Sequence, residues 1–396
     1  MTIRLPLLAA ALAALLAWVM PLGEAPDELA HLRYAESLAA GRLPVLAARG
    51  AEGYEAHQPP LGYLLPAMVI ATAGGIDVRP LANPSLDFHR AGSRAFVPPF
   101  AGERDRLVLR LARTTQVVWT ALAVWAGLRL GGGSRWATPF LLAPQLLVVG
   151  AALNNDAALV ALASCALLML VRFVETGHGA VASGLLVVAA LFVKGSALFL
   201  LVPVGVAVAL APPFATAARR IAPSPRFVLL AITAAGVSAW LAFNLARFGT
   251  VLPPIPTARH VATAWELVAE PRWLGGLFRS FWAKFGWLNT PMPWPFYLWF
   301  AAASLLAVVG ALRSRGAASR VLLAAVVANF GLVVAFLLTV DLQPQGRYLL
   351  PSLTAIAALA TGAVPASRAR GLERAAEPAA VVVALAAVAT IAVAYR

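Results

Sequence analysis

Long apolar runs rich in Ala, Leu and Val recur along the chain, and polar residues collect in the gaps between them. The runs are Leu5–Met20, Leu107–Leu130, Trp136–Leu153, Ala157–Val174, Val181–Val193, Ser196–Ala211, Phe227–Ala246, Trp294–Leu312, Val321–Val340, Leu349–Val364 and Ala379–Ala394. A membrane-crossing helix needs roughly 17–25 such residues, so the pattern predicts about eleven spans. The runs do not alternate apolar with polar positions, which argues against a β-barrel. Val181–Val193 and Ser196–Ala211 are short and flank Lys194-Gly195, as a bent or discontinuous pair would.

One further apolar stretch, Leu61 to Ala73, sets the orientation. As a helix it covers only about 20 Å, short of a hydrocarbon core of about 30 Å, so it reads as a helix lying in the interface. The later loops then alternate sides. Those with Arg129 and Arg135, Arg172, Arg219, Arg220 and Arg226, Arg313, Arg315 and Arg320, and Arg368, Arg370 and Arg374 all fall on one side. Short basic loops mark the cytoplasm. The N-terminus is therefore expected inside, and the other face holds 23–106, 247–293, Asn154-Asn155-Asp156, Lys194, and Asp341 to Tyr348.

Composition agrees with a polytopic membrane protein. Of 396 residues, 61% are hydrophobic and 12% charged, with mean hydropathy +0.81; soluble domains run near 45–50% and 25%. The net charge of +14 is read as retention of cytoplasmic loops and contact with anionic lipid or phosphate, not as nucleic-acid binding. Cys165 is the single cysteine, so no intramolecular disulfide forms and no Cys-based metal site exists. The N-terminal run exceeds a signal-peptide core of about 7–15 residues and is expected to be retained. The reading is one membrane domain over 1–396, with external loops 23–106 and 247–293 and no soluble domain.

Chemistry concentrates in the external loops. Pro26 suits a helix's first turn, and on that helix Asp27, Glu28 and His31 share a face by i,i+3 and i,i+4 spacing. A partly desolvated carboxylate there can act as a base; acids in a first turn also simply complement the helix dipole. Glu55, His57 and Gln58 precede Pro59-Pro60 at the entrance of the interfacial helix, where anions are favoured; the alternative is a solvated flank of an anchor. Asp156 reads as a helix cap or as a second acid that, with Asn155, orients acceptor or metal. Lys194 and Arg347, with Tyr348, suit a phosphate; snorkelling to headgroups is the other reading. Lys284 lies in an aromatic stretch, Ser280 to Asn289, either an interfacial belt or a pocket wall. No G-x-x-x-x-G-K-[ST], H-E-x-x-H or G-x-S-x-G occurs.

Pro26-Asp27-Glu28 with Arg33-Tyr34-Ala35-Glu36 resembles the first external loop of GT-C glycosyltransferases, which include aminoarabinose and protein-mannosyl transferases. His57-Gln58-Pro59-Pro60-Leu61 with Tyr63 is similar to the segment opening their second juxtamembrane helix. Phe281-Trp282-Ala283-Lys284-Phe285-Gly286-Trp287 and Gln345-Gly346-Arg347-Tyr348-Leu349 look like uncharacterised bacterial members of that clan. The resemblance implies an all-α GT-C fold with two juxtamembrane helices in the first external loop. It implies an inverting hexosyl- or pentosyltransferase using a polyprenyl-phosphate sugar at the outer face of the inner membrane, with a glycan, lipid or protein acceptor. Asp27 matches the catalytic acid position and Asp156 the second acidic position. Gln58 or His57 stands near a position that is a phosphate-binding lysine in some members; Lys194 or Arg347 would substitute. No cofactor is demanded, and any divalent cation would fall to Asp27 and Asp156. The rival readings are a flippase for lipid-linked glycans and a non-catalytic glycolipid-binding subunit.

Overall fold

The computed structural model describes residues 3–46, 53–211, 224–255, 261–363 and 366–396. Arg219 and Arg220, counted above among the basic loops, lie outside them, as do the side chains of Arg368 and Arg370. The regular structure of the described chain is almost all helix; its sheet is one two-stranded hairpin, Lys284–Phe285 against Thr290–Pro291.

Among the described residues six helices are long and apolar enough to cross a membrane: Glu103–Leu130, Asp156–Thr176, Pro225–Phe248, Pro295–Arg313, Ala317–Thr339 and Arg374–Ala394. Arg4–Val19, Leu61–Thr72, Ala180–Leu191 and Gly195–Leu210 are shorter apolar helices. This is a multi-pass membrane protein. Helix ends follow local chemistry. Pro225 opens its helix with the Ser224 hydroxyl accepting from Phe227 N at 3.2 Å.

Two segments depart from the sequence reading. Trp136–Leu153 is not one helix: it breaks into Arg135–Ala137, Thr138–Leu141 and Pro144–Val149. Pro139 and Pro144 lack the N–H that a continuous helix requires. Leu349–Val364 breaks too, into a 3₁₀ turn at Gly346–Ser352 and a helix at Leu353–Ala360, with Pro351 inside the turn.

The Asp156–Thr176 helix is the hub. It packs on Gln116–Leu130, Ala180–Leu191 and Ala317–Thr339, and its core, from Ala158 to Leu170, is nearly all buried. Ala180–Leu191 and Pro225–Phe248 approach closely because a glycine on each, Gly184 and Gly236, receives a branched side chain of the other, Ile232 and Val188. A Cβ added at Gly236 would stand 2.0 Å from Val188 Cγ2.

The basic loops gather at one end, where Arg135 pairs with Glu377 at 3.6 Å and Arg313 donates to the Ala363 carbonyl. The polar loops gather at the other. Glu28–Ala39 packs on Leu64–Thr72, which packs in turn on Glu103–Thr114. An arm follows, joined by bridges Val78↔Ala101 and Ala82↔Phe96. It is pinned in place: the Glu24 carboxylate accepts from Ala95 N at 2.9 Å, Asn289 donates to Ser93 O at 2.8 Å, and Arg94 to Tyr395 O at 2.7 Å.

Candidate active site

Asp27 is not in the first turn of a helix. It stands just before Glu28–Ala39 with φ +62°, a left-handed backbone. Aspartate tolerates this conformation better than most residues, at a cost of order 1 kcal/mol. The turn aims the carboxylate across the loop at Arg347, whose Nη2 donates to Oδ2 at 2.6 Å. Asp27 keeps 28% of its side-chain surface open, on a cavity of about 320 Å³. Burial opposes its charge, but Arg347, helped by His31 and Lys194, outweighs that and holds the carboxyl below the usual range.

Arg347 serves both aspartates. Its Nη1 lies 3.9 Å from Asp156 Oδ2, while Lys194 Nζ donates to Asp156 Oδ1 at 2.5 Å. Among the described residues Arg347 Nε is buried without a partner. Gly346 sets its height: a Cβ there would lie 2.0 Å from Phe281 N, and Ser280 Oγ accepts from Gly346 N at 2.7 Å. The 3₁₀ turn thus sits hard against the Arg272–Trp282 helix. Asn329, inside Ala317–Thr339, donates to Leu349 O at 3.2 Å and Ser352 Oγ at 3.1 Å and steadies the turn from the other side. Asp156 is not the helix cap: Asn154 Oδ1 accepts from Ala157 N at 3.1 Å, leaving the Asp156 carboxylate to the two cations.

The Tyr54–His57 turn forms another wall. Tyr34 stacks on Tyr63 at 4.0 Å and donates to Gln58 O at 2.9 Å. Tyr63 Oη meets His31 Nδ1 at 2.8 Å. His57 Nδ1 meets Tyr54 O at 2.9 Å and its Nε2 meets Gln58 Nε2 at 2.8 Å. A carbonyl on one nitrogen and an amide donor on the other assign the neutral ring, protonated on Nδ1. Burial lowers the His31 imidazole and pushes His57 down to about 4. His57 in the fold therefore binds its proton more weakly than in the unfolded chain, where the value is about 6.5. Between those values the unfolded state holds more protons, so stability falls as pH falls through that window. We expect about 2 kcal/mol to be lost from this source by pH 5. Thermal unfolding at pH 7 and pH 5 checks it: His57→Gln should flatten the difference, and an unchanged difference counts against it.

The structure brings Asp27, His31, His57, Gln58, Asp156, Lys194, Arg347 and Tyr348 onto one cavity. Three expected members are elsewhere. Glu28 points away from Asp27, into a fully buried ion pair with Arg113 at 2.5 Å, and also accepts from Gly23 N and Leu153 N. The left-handed turn at Asp27 breaks the helical phase assumed for the two acids. Lys284 lies in the hairpin opposite Pro291, off the cavity. Asn155 donates to Val193 O at 3.2 Å and holds the two loops together without lining the cavity. Sequence reasoning missed Arg113, although an arginine inside an apolar run is a signal. It also left Glu55 without a role and gave no sign of Trp240, Asn329 and Phe336, which complete the wall.

Among the described residues no three His, Cys, Asp or Glu side chains stand together to hold a metal. Asp27 and Asp156, the pair the sequence offered as ligands, are each engaged by a cation.

No protein-family model and no curated protein matches the sequence. Solved structures do. ArnT from Cupriavidus metallidurans in the apo state, 16% identical, gives a TM-score of 0.54 over 93% of this chain and 61% of its own. The same protein bound to undecaprenyl phosphate, 15% identical, gives 0.58 over 99% and 76%. The chain has the GT-C fold. An Archaeoglobus fulgidus oligosaccharyltransferase tethered with an acceptor peptide also aligns, at TM-score 0.47 and 14% identity over 100% of this chain and 54% of its own. The chain spans about three fifths of the apo ArnT chain. At these identities the likeness shows the architecture alone.

Proposed function

We propose that this GT-C protein is an inverting glycosyltransferase that moves a sugar from a polyprenyl phosphate to an acceptor hydroxyl or amine at the outer face of the inner membrane. One observation carries the reading: the cavity joins a charged end, Asp27, Asp156, Lys194 and Arg347, to an apolar wall of Leu332, Val333 and Phe336. That combination fits an anionic head on an apolar chain. ArnT, which shares the fold, has been crystallised with undecaprenyl phosphate. The end that gathers the basic loops is the cytoplasmic one, and the cavity opens at the other.

In this reading the donor phosphate sits on Lys194 and Arg347. Lys194 uses one of its three N–H donors on Asp156, and Arg347 Nη1 makes only long contacts, 3.5 Å to Pro26 O and 3.9 Å to Asp156 Oδ2, so both can take phosphate oxygens without abandoning their aspartates. Arg347 holds Asp27 through Oδ2, and the other carboxylate oxygen is left to accept the acceptor's proton. The acceptor attacks the anomeric carbon opposite the phosphate, the sugar–phosphate bond breaks, and the electron pair leaves on the phosphate, where the cations meet the developing charge. His31 lines the cavity, and its main-chain N donates to Asp27 O at 3.0 Å. Asp27 and Asp156 are each held by a cation, so transfer is expected to persist in excess EDTA.

The test is transfer from polyprenyl-phosphate sugars in membranes containing the protein, read as released undecaprenyl phosphate. Glycolipid binding without turnover on any acceptor would make it a non-catalytic binding subunit. Arg347→Ala is expected to weaken undecaprenyl-phosphate binding by about tenfold or more, as losing a charged hydrogen-bond donor does. Equal affinity in a direct binding titration would place the phosphate elsewhere.

A further inference from the structure

Glu55 faces the same cavity, yet the reaction above gives it nothing to do. It is 5% exposed and belongs to the Tyr54–His57 turn. That turn is firm: Ala56 N donates to Gly53 O at 3.0 Å and Gln58 N to Glu55 O at 2.9 Å. The backbone is therefore fixed, and the carboxyl is presented to the cavity.

Other buried acids here are settled. Asp27 has Arg347, Asp156 has Lys194, and Glu28 has Arg113. Among the described residues the Glu55 carboxyl makes no hydrogen bond or ion pair, although it lies within electrostatic reach of His31, Asp27, Lys194 and Arg347. Buried polar groups are hydrogen-bonded almost without exception, so an unpartnered one on a cavity wall calls for a ligand.

Charge and chemistry narrow that ligand. Two cations already balance Asp27 and Asp156, and a donor phosphate adds a negative charge. An ionised Glu55 would repel it. Burial, with the Asp27 charge adding to it, pushes the Glu55 carboxyl up from the usual range and favours its neutral form. A neutral carboxyl both donates and accepts hydrogen bonds, as a sugar hydroxyl does. The phosphate end is served by Lys194 and Arg347, and the apolar wall serves the chain. The sugar is the part of the donor still without a polar partner.

We propose that Glu55 binds hydroxyl groups of the transferred sugar and is the residue by which the cavity tells a sugar-bearing polyprenyl phosphate from the bare lipid phosphate. The inference rests on the glycosyltransferase reading and names its sugar contact. A site built to hydrogen-bond a hydroxyl discriminates strongly against a ligand that lacks it.

The experiment measures equilibrium affinity of the purified protein for undecaprenyl phosphate and for undecaprenyl phosphates bearing glucose, mannose, galactose or arabinose. The wild type is expected to bind at least one glycosylated lipid about tenfold or more tighter than the bare lipid. Glu55→Ala should bring that ratio near one with bare-lipid affinity unchanged, which also serves as the folding control. Glu55→Gln, which still donates and accepts, should keep most of the preference. No preference in the wild type, a preference that survives in Glu55→Ala, or equal loss on both lipids would each overturn the assignment. Turnover is scored separately. Absent turnover with an intact, Glu55-dependent ratio sinks glycosyl transfer but leaves sugar recognition standing.

Discussion

Asp27→Asn is expected to lower sugar transfer by about 10²–10⁴-fold, the range for loss of a positioned proton acceptor. The substitution keeps the size and a hydrogen bond to Arg347, but an amide takes no proton. Asp27 suits the role because it is held, open to the cavity and ionised. Arg347, 2.6 Å away, keeps it charged well into acid, so the acid limb of its activity should lie below the ordinary carboxylate range. The same pairing contributes stability that is present above the unfolded value and is lost as pH falls through the lower folded one. Release of undecaprenyl phosphate by intact and variant protein in matched membranes measures the effect. Equal turnover would remove Asp27 from the mechanism.

Its neighbour should behave in the opposite way. Glu28→Ala is expected to cost about 3–5 kcal/mol of stability, because it strands a buried guanidinium. Glu28 and Arg113 are both fully buried, and Arg113 also donates to Met20 O at 2.7 Å and Pro21 O at 2.8 Å. The pair therefore joins the end of Arg4–Val19, the start of Glu28–Ala39 and the Glu103–Leu130 helix. Thermal unfolding in detergent should show a large drop, far beyond that of Asp27→Asn. The double variant Glu28→Ala with Arg113→Met should cost less than the two single changes added, since it removes the stranded charge. A Glu28→Ala protein as stable as the wild type would mean that the ion pair holds nothing together.

The contrast between these two residues shows where sequence reading stops. Apolar runs revealed the helices because a bilayer demands them, and charges confined to the loops pointed to one face. Lys194, Asp156 and Arg347 stood out because charge beside apolar sequence is costly. What sequence did not reveal was direction. Asp27 and Glu28 were given one face because a helix was assumed at both, and a single left-handed residue turns them apart. Hydropathy also cannot tell a continuous span from a broken one, since both are apolar throughout; the prolines at 139, 144 and 351 were the available sign. Glu55 was visible only as a polar residue near a helix entrance, and its isolation emerges only once its neighbours' partners are known.

The broken segment from Gly346 to Ala360 has a consequence for how the chain enters the bilayer. Pro351 has no main-chain N–H to give within the 3₁₀ turn, and hydrocarbon offers no replacement donor. Asn329, twenty residues earlier, supplies an amide to Leu349 O, which the Ser352 hydroxyl also meets at 2.9 Å. Synthesis runs from the N-terminus, so that amide emerges before the carbonyl it satisfies. The segment is thus suited to insert as a passenger of the preceding helix, and stripping Asn329 of its amide would leave it poorly dressed for the lipid.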